Sequence, residues 1–288
     1  MNKFNDYINW FIENSLNEDV GSGDHTSNAC IPEKSVSKAI LLVKDNGVIA
    51  GVEMAERIFK YVARDIEFER IKNDGDVVHY GDIVFKVNGG TRSILKAERL
   101  VLNVMQRLSG IATASSEFAM EVSDLPVKIL DTRKTTPLLR PLEKWAVKLG
   151  GCHNYREGLY DWIMIKDNHI DAAGGIKKTI KKVNKYLADN KLDLGITIEV
   201  RNLVELHKVL DTGGVTRIML DNFEPALLRE AVLTVNGRFE TEVSGGITLH
   251  NLREIAETGV DCISTGAITH SAGILDLSLK ILSGDLFE

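Results

Sequence analysis

The stretch VTRIMLDNFEPALLREAVLTVNGRFETEVSGG, residues 215–246, decides the fold. An apolar run stops at Asp221, a helix-like segment follows, and a second β-rich run stops at Ser244. The same unit recurs on both sides: VKILDT at 127–132, WIMIKDN at 162–168 and ITIEV at 196–200 before it, and VDCISTGA at 260–267 after it. Strand and helix units in series make a parallel sheet. Most runs are apolar in their middles, as strands covered on both faces should be, and no repeat of fixed period is present. Each run ends in polar or glycine residues: Asp131, Lys166 to Asn168, Glu199, Asp221, Ser244 to Gly246 and Thr265 to Ala267. In an α/β barrel those ends gather at the carboxyl face, where such folds do their chemistry. A doubly wound open sheet is the alternative, but no GxGxxG follows the first strand. The expectation is an incomplete α/β barrel of about six parallel strands.

The first third reads differently. MNKFNDYINWFIENSL spreads acids through its apolar positions and has no small-residue cleavage site, which predicts an amphipathic helix and not a signal peptide. A short apolar run from Ala39 to Val43, an alternating run from Asp65 to Ile71 and a β-rich run from Asp82 to Val87 are separated by Asp-Gly, Asn-Gly and Tyr-Gly-Asp turn signals. They predict an antiparallel sheet interrupted by one helix near Glu53 to Tyr61. From about Ser93 to Val122 the period becomes helical, with Leu95, Leu100, Val104 and Leu108 on one side. That helix is expected to join an N-terminal α/β domain over 1–112 to a barrel domain over 113–272, with a C-terminal helix over 273–288 packing back on the first.

The 288 residues carry 41 acids against 35 Lys and Arg, a net charge of −6, with 44% hydrophobic and 6% aromatic residues. Such a chain is globular and able to bury a sizeable core. Its acidic balance argues against nucleic-acid binding, which draws on a basic face. No uncharged apolar run approaches the roughly 18 residues a membrane span needs. Cys30, Cys152 and Cys262 are odd in number, far apart and without metal-type spacing, as for inert thiols in a reducing compartment. A cytoplasmic protein is expected.

Against that acidic background, seven cations between Arg133 and Lys166 (Arg133, Lys134, Arg140, Lys144, Lys148, Arg156 and Lys166) face only three acids, Glu143, Glu157 and Asp161. Lys144 and Lys148 fit the solvated face of a helix over 138–149. Arg133, Lys134 and Lys166 follow strands directly and should point into the mouth. A buried ion without a partner costs several kcal/mol, so cations gathered there imply a ligand with more than one negative charge. Glu199 and Asp221 close consecutive strands and suit Mg²⁺, usually held by one or two carboxylates plus its substrate. The alternative is that they pair with Lys134 or Lys166. Ser244, Gly245, Gly246 and Thr265, Gly266, Ala267 each lead into a helix, and their exposed N–H groups suit phosphate. His270, one turn beyond Gly266, offers a further donor. Cations for an organic polyanion, carboxylates for Mg²⁺ and two phosphate cradles together fit phosphoribosyl transfer from a diphosphate donor.

These residues also carry a family resemblance. EDVGSGDHTS at 18–27, LKAERLVLNVMQRLSGIAT at 95–113, ILDTRKTTPLLRPLEKWAVKLGG at 129–151, IMIKDNH at 163–169, LDN at 220–222, SGGI at 244–247 and GAITHS at 266–271 resemble, in order and spacing, the quinolinate phosphoribosyltransferases. The resemblance implies conversion of quinolinate and phosphoribosyl diphosphate to nicotinate mononucleotide, diphosphate and CO₂ in NAD biosynthesis, with Mg²⁺. It implies a homodimer whose active sites take residues from both subunits. By motif position, Thr132, Arg133, Tyr155, Arg156 and Lys166 would bind the dicarboxylate, with Arg99 reaching in from the partner chain; Arg107 does not match that role. Lys134 would sit by the ribose and diphosphate, Glu199 and Asp221 would serve the metal and ribose hydroxyls, and Ser244, Gly245, Gly246, Thr265, Gly266, Ala267 and His270 would hold phosphates. Lys134, Glu199 and Asp221 are the catalytic candidates.

Three positions depart from the family pattern. Leu138 stands in a TPGLR motif at the glycine, and GGCHNYREGL places Cys152 at a glycine and Tyr155 at a histidine. Tyr155 donates one hydrogen bond but carries no positive charge. Arg201, two residues after Glu199, is expected to face away from the mouth. Two other readings stand beside the first: a paralogous phosphoribosyltransferase with a different acceptor, and a non-catalytic protein binding an anionic metabolite.

Overall fold

The computed structural model describes residues 3–282. Its first part comprises α1 (Lys3–Val20), α2 (His25–Cys30), β1 (Val36–Val43), β2 (Gly47–Val48), α3 (Val52–Val62), β3 (Glu67–Arg70), β4 (Val77–Val78), β5 (Ile83–Gly90) and the long α4 (Thr91–Glu121). Strand and helix then alternate through β6 (Lys128–Leu130), α5 (Arg140–Leu149), β7 (Ile163–Ile165), α6 (Asp167–Ala173), α7 (Ile176–Asp189), β8 (Ile196–Val200) and α8 (Leu203–Thr212). The order continues with β9 (Arg217–Asp221), α9 (Pro225–Val235), β10 (Glu240–Ser244), α10 (Leu249–Ala256), β11 (Cys262–Ser264), α11 (Ala267–His270) and β12 (Leu277–Ile281). By packing, the chain groups into two units, one running to Ser116 and including Pro141–Gly150 and the residues from Ala272, the other made of Glu117–Arg140 and Gly151–Ser271.

In the first unit Ile8, Ile12 and Leu16 recur every four residues along α1 and are buried, the apolar stripe of an amphipathic helix. β1 turns Ala39, Leu41 and Val43 inward. The antiparallel sheet has strand order β12, β1, β5, β3, with Phe59 of α3 packed on Phe68 and Phe85. Residues 277–281, predicted as helix, are β12 instead. LSLKI buries Leu277 and Leu279 with period two, and β12 pairs from Leu277 opposite Val43 to Ile281 opposite Ala39. Local sequence gives no account of that pairing; the open edge of β1 does, since its N–H and C=O groups need partners. The rest of the predicted helix, 283–288, lies outside the described residues.

Lys144, expected on a solvated helix face, is instead 1% exposed, and its neighbour Glu143 is fully buried. The reason is that α5 packs into the first unit, where Glu143 accepts from Arg107 Nε and Nη2 at 3.1 and 2.9 Å. Lys148 is exposed as expected. Another long-range device starts α3: its N-cap, Gly51, has no side chain, and Asp74 accepts instead from the Val52 N–H at 2.8 Å and the Glu53 N–H at 3.0 Å. Asp74→Ala should therefore cost about 1–2 kcal/mol, read as a lower urea midpoint, and Asp74→Asn should cost less.

The second unit holds a parallel sheet of order β6, β11, β10, β9, β8, β7. From β7 to β11 each strand lies beside its successor, and β6 joins β11. Among the described residues no ladder links β6 to β7, so the barrel is incomplete, as the spacing predicts. β8 is buried along its whole length, as a strand covered on both faces must be. Because all six strands are parallel, their carboxyl ends share one face.

Candidate active site

Those ends surround a cavity of about 710 Å³. It is lined by Thr132, Arg133 and Lys134 after β6, Tyr155, Arg156 and Lys166 around β7, Glu199, Asp221, and Ser244 to Gly246 and Thr265 to Ala267 with His270. Every sequence-derived site residue except Arg99 is thus brought together. Arg99 is exposed on α4, in the first unit, and is not among the lining residues.

The guanidinium wall is built by loop contacts. Arg140 donates from Nε to Thr135 Oγ1 at 3.0 Å and from Nη1 to the Glu157 carbonyl at 2.8 Å, tying the loop after β6 to the one before β7. Asp161 accepts from the Glu157 and Gly158 N–H groups, fixing the turn after Arg156. Among the described residues, Arg156 itself has a long contact of 3.4 Å to the Trp162 carbonyl and one to Met164 Sδ, a weak acceptor, at 3.4 Å. Arg133 Nε is buried without a hydrogen-bond partner among the described residues. Burial, and then the charge of Arg133, hold the Arg156 pKa below its ordinary value. Two guanidinium groups that are poorly satisfied and mutually repelling call for an anion between them.

Beside them, at the end of β7, Lys166 Nζ lies 2.9 Å from Glu199 Oε2, so the pairing considered as the alternative for Glu199 is present. Asp221 accepts from Ser244 Oγ at 2.8 Å and from Asn222 Nδ2 at 2.7 Å. Ser244, read as a phosphate ligand, therefore spends its hydroxyl on orienting Asp221. Thr265 likewise spends its own on the Ile247 carbonyl and the Ala267 N–H. What remains for phosphate is backbone. Gly245 and Gly246 take φ of 99° and 62°, and a Cβ on Gly245 would lie 2.1 Å from Asn222 Oδ1. Glycine is thus required there by conformation and by space. At Gly266 a Cβ would meet His270 Cδ2 at 2.6 Å and Lys134 Cδ at 2.9 Å, so that glycine lets both side chains close on the loop.

Two family models match, the quinolinate phosphoribosyl transferase N-terminal domain over residues 24–109 and its C-terminal domain over residues 111–280. The chain belongs to the quinolinate phosphoribosyl transferase family. It is 48% identical over 285 residues, covering 94% of this chain and 81% of the relative, to "Quinolinate phosphoribosyltransferase [decarboxylating] 1b" of Nicotiana tabacum. It is 40% identical, over 94% of this chain and 92% of the relative, to the "Probable nicotinate-nucleotide pyrophosphorylase [carboxylating]" of Bacillus subtilis. The crystal structure of NadC from Streptococcus pyogenes superposes with a TM-score of 0.91 at 35% identity, covering 98% of this chain and 99% of that one.

Within that family the three departures now have a physical reading. Leu138, at the motif's glycine, holds φ 66° and is exposed. A left-handed leucine costs roughly 1–2 kcal/mol. Leu138→Gly should therefore stabilise the protein by about 0.5–1 kcal/mol, the unfolded-state entropy of glycine offsetting part of the relief, seen as a raised melting temperature. Cys152 is buried, and burial, with Asp131 adding, pushes its thiol up to about 12, so it is inert. Tyr155 hydrogen-bonds Thr197 Oγ1 at 2.6 Å, and burial, then Glu242, raise its pKa, so it stays neutral. Arg201 does turn away, clasping Glu205 at 2.6 Å.

Sequence reasoning missed seven lining residues, Met164, Met219, Asn222, Ile247, Thr248, Ser264 and Ser271. Met164 and Met219 sit two positions before Lys166 and Asp221, and the period of two along a strand would have found them. Asn222 follows Asp221 directly, but its φ of 55° and the bond from its N–H to the Ser244 carbonyl of the neighbouring strand, at 2.8 Å, set the turn that lets its amide donate to Asp221.

Proposed function

We propose that the protein transfers the phosphoribosyl group of phosphoribosyl diphosphate to the ring nitrogen of quinolinate, giving nicotinate mononucleotide, diphosphate and CO₂ for NAD biosynthesis. The observation that carries this reading is the pair of under-satisfied guanidinium groups, Arg133 and Arg156, on the wall of a cavity that also offers carboxylates and glycine loops. Two carboxylates on adjacent ring carbons match two guanidinium groups, with Lys166 as a point charge. Nicotinate, lacking one carboxylate, would leave a cation unpaired, and a site of that kind discriminates by roughly 10⁴-fold.

The clamp holds the ring nitrogen toward the anomeric carbon, so that a bimolecular encounter becomes a positioned one. Gly245, Gly246 and Gly266 bring backbone N–H groups to the phosphates, with Lys134 and His270 beside them. As the bond from the anomeric carbon to diphosphate oxygen lengthens, Lys134 meets the growing negative charge and Glu199 the positive centre left behind. The new bond to nitrogen leaves the ring positive. That ring then accepts the electron pair released as CO₂ departs, and a proton takes the vacated carbon.

Glu199 and Asp221 suit Mg²⁺: both line the cavity and both keep acceptor capacity beyond their present partners. Mg²⁺ is a hard cation that shares its ligands with substrate and water, and when bound it would neutralise diphosphate charge. A homodimer, with Arg99 donated across the interface, and a cytoplasmic location complete the proposal. Cys30, Cys152 and Cys262 form no disulfide among the described residues, which suits a reducing compartment, and no helix among those residues is long and apolar enough to cross a membrane. Mixed oligomers of Arg99→Ala and Arg133→Ala subunits should regain activity that neither variant has alone.

The test is incubation with phosphoribosyl diphosphate, Mg²⁺ and either quinolinate or nicotinate, following mononucleotide and CO₂. Product from quinolinate alone is expected. Product from nicotinate, or from neither, would remove the assignment.

A further inference from the structure

Beneath the cavity the barrel interior is charged. Ladder register places Glu240 opposite Arg217, Glu242 opposite Met219 and Ser244 opposite Asp221. Alternate residues of a strand share a side, so these pairs are three successive layers: Ser244 and Asp221 at the mouth, Met219 below, Arg217 deepest. Arg217, 10% exposed at its side chain, donates from Nε to Glu240 Oε2 at 2.7 Å and from Nη1 to Glu242 Oε2 at 3.0 Å. Glu242 is fully buried with Ser264 and Tyr155 near its carboxylate, and among the described residues its Oε1 has no partner of good hydrogen-bond geometry.

Barrel layers of this kind are ordinarily filled by Val, Ile and Leu, and replacing a buried ion pair by apolar residues is often stabilising. Stability alone gives no reason for these charges. Their contacts point upward instead. The Arg217 guanidinium carbon lies 4.9 Å from the Tyr155 ring centre and 5.6 Å from that of Trp162. Trp162 Nε1 and the Tyr155 hydroxyl converge on Thr197 Oγ1 at 2.9 and 2.6 Å. Tyr155 thus has its hydroxyl and its ring held from below, while it also lines the cavity beside Arg156. Glu242 acts electrostatically on both Tyr155 and Arg156.

We propose that Arg217 is a positioning and charge-balancing residue for the acceptor subsite: it neutralises Glu242 below the cavity and fixes the Tyr155 ring in the cavity wall. The inference rests on the dicarboxylate reading above. An anion with two carboxylates bound by Arg133 and Arg156 cannot tolerate an uncompensated carboxylate one layer down. Glu240, 31% exposed at its side chain, is partly wet, so Glu242 is the group that needs its cation.

The test compares wild type, Arg217→Met, Arg217→Lys, Glu242→Gln and the double variant Arg217→Met/Glu242→Gln, by quinolinate binding and by separate KM values for quinolinate and phosphoribosyl diphosphate. Arg217→Met should raise the quinolinate KM by on the order of tenfold or more, as expected for an uncompensated charge at an effective dielectric of about 20, with the donor KM changed by less than about threefold. Arg217→Lys should recover part of the loss, because it keeps the charge. The double variant should recover most of it, because both charges are gone. A double variant as impaired as Arg217→Met, or equal losses for both substrates, would overturn the proposal. Should Arg217→Met fail to fold, the double variant and Glu242→Gln decide: quinolinate KM near or below wild type supports it, and a tenfold rise in both counts against it. A wild-type protein that does not bind quinolinate overturns the acceptor assignment and this inference with it; wild-type binding with unshifted variants overturns only the role of Arg217.

Discussion

Arg133→Ala should raise the KM for quinolinate by roughly 10²–10³-fold while leaving that for phosphoribosyl diphosphate within about threefold. The asymmetry follows from where the group sits. Arg133 Nε is buried and has no partner of its own, so the free protein already bears the cost of desolvating it, and only an anion recovers that cost. Removing the side chain leaves the acceptor carboxylates with Arg156, whose own contacts are weak, and the Lys166 point charge. Arg133→Lys should rescue little, since a point charge does not replace a forked donor. Steady-state kinetics with each substrate varied in turn give the answer, and equal losses for donor and acceptor would place Arg133 outside the acceptor subsite.

Asp221→Asn should lower kcat by roughly 10²–10³-fold, the scale of losing one preorganised electrostatic group in a closed site. Asp221 has its two oxygens aimed by Ser244 Oγ and Asn222 Nδ2, at 2.8 and 2.7 Å, before any substrate arrives. An amide at this position keeps the shape but loses the charge, and one of its oxygens becomes an N–H₂ that faces a donor. Ser244→Ala removes one of the two orienting bonds and leaves the carboxylate. Its expected loss is roughly ten- to a hundredfold, the worth of one hydrogen bond to a charged group. The titration of rate against Mg²⁺ separates the two: Asp221→Asn should shift the half-saturating concentration upward, and Ser244→Ala should shift it slightly.

Much of the site was legible because its residues lie at strand ends, and a strand end shows in sequence as an apolar run that stops. Glu199, Asp221, Lys166 and both glycine loops were found that way, and all of them line one cavity. Of their present partners only the Lys166–Glu199 pair was weighed from sequence. The backbone N–H groups at Ser244 and Thr265 read as phosphate donors, but nothing local showed that the two hydroxyls are engaged by groups from another strand or loop. Lys144 read as solvated because its period fits an exposed helix face, and it is buried because α5 packs away from the strands that flank it in sequence. The C-terminal segment read as helix, and it is a strand because β1 has an edge to fill.

The sequence by itself determined the six parallel strands, the antiparallel sheet before them, and the chemical types of side chain at the mouth. Those properties follow from periodicity and from chain order, which are local. Only the tertiary structure decided that Arg133 Nε is left without a partner, that Lys166 closes on Glu199, that Leu138 bears a left-handed backbone, and that Arg217 stands beneath Tyr155. Each of these depends on which strand lies beside which, and on the register between them. A register of one residue reverses the side on which every side chain emerges, and no local pattern encodes the partner strand.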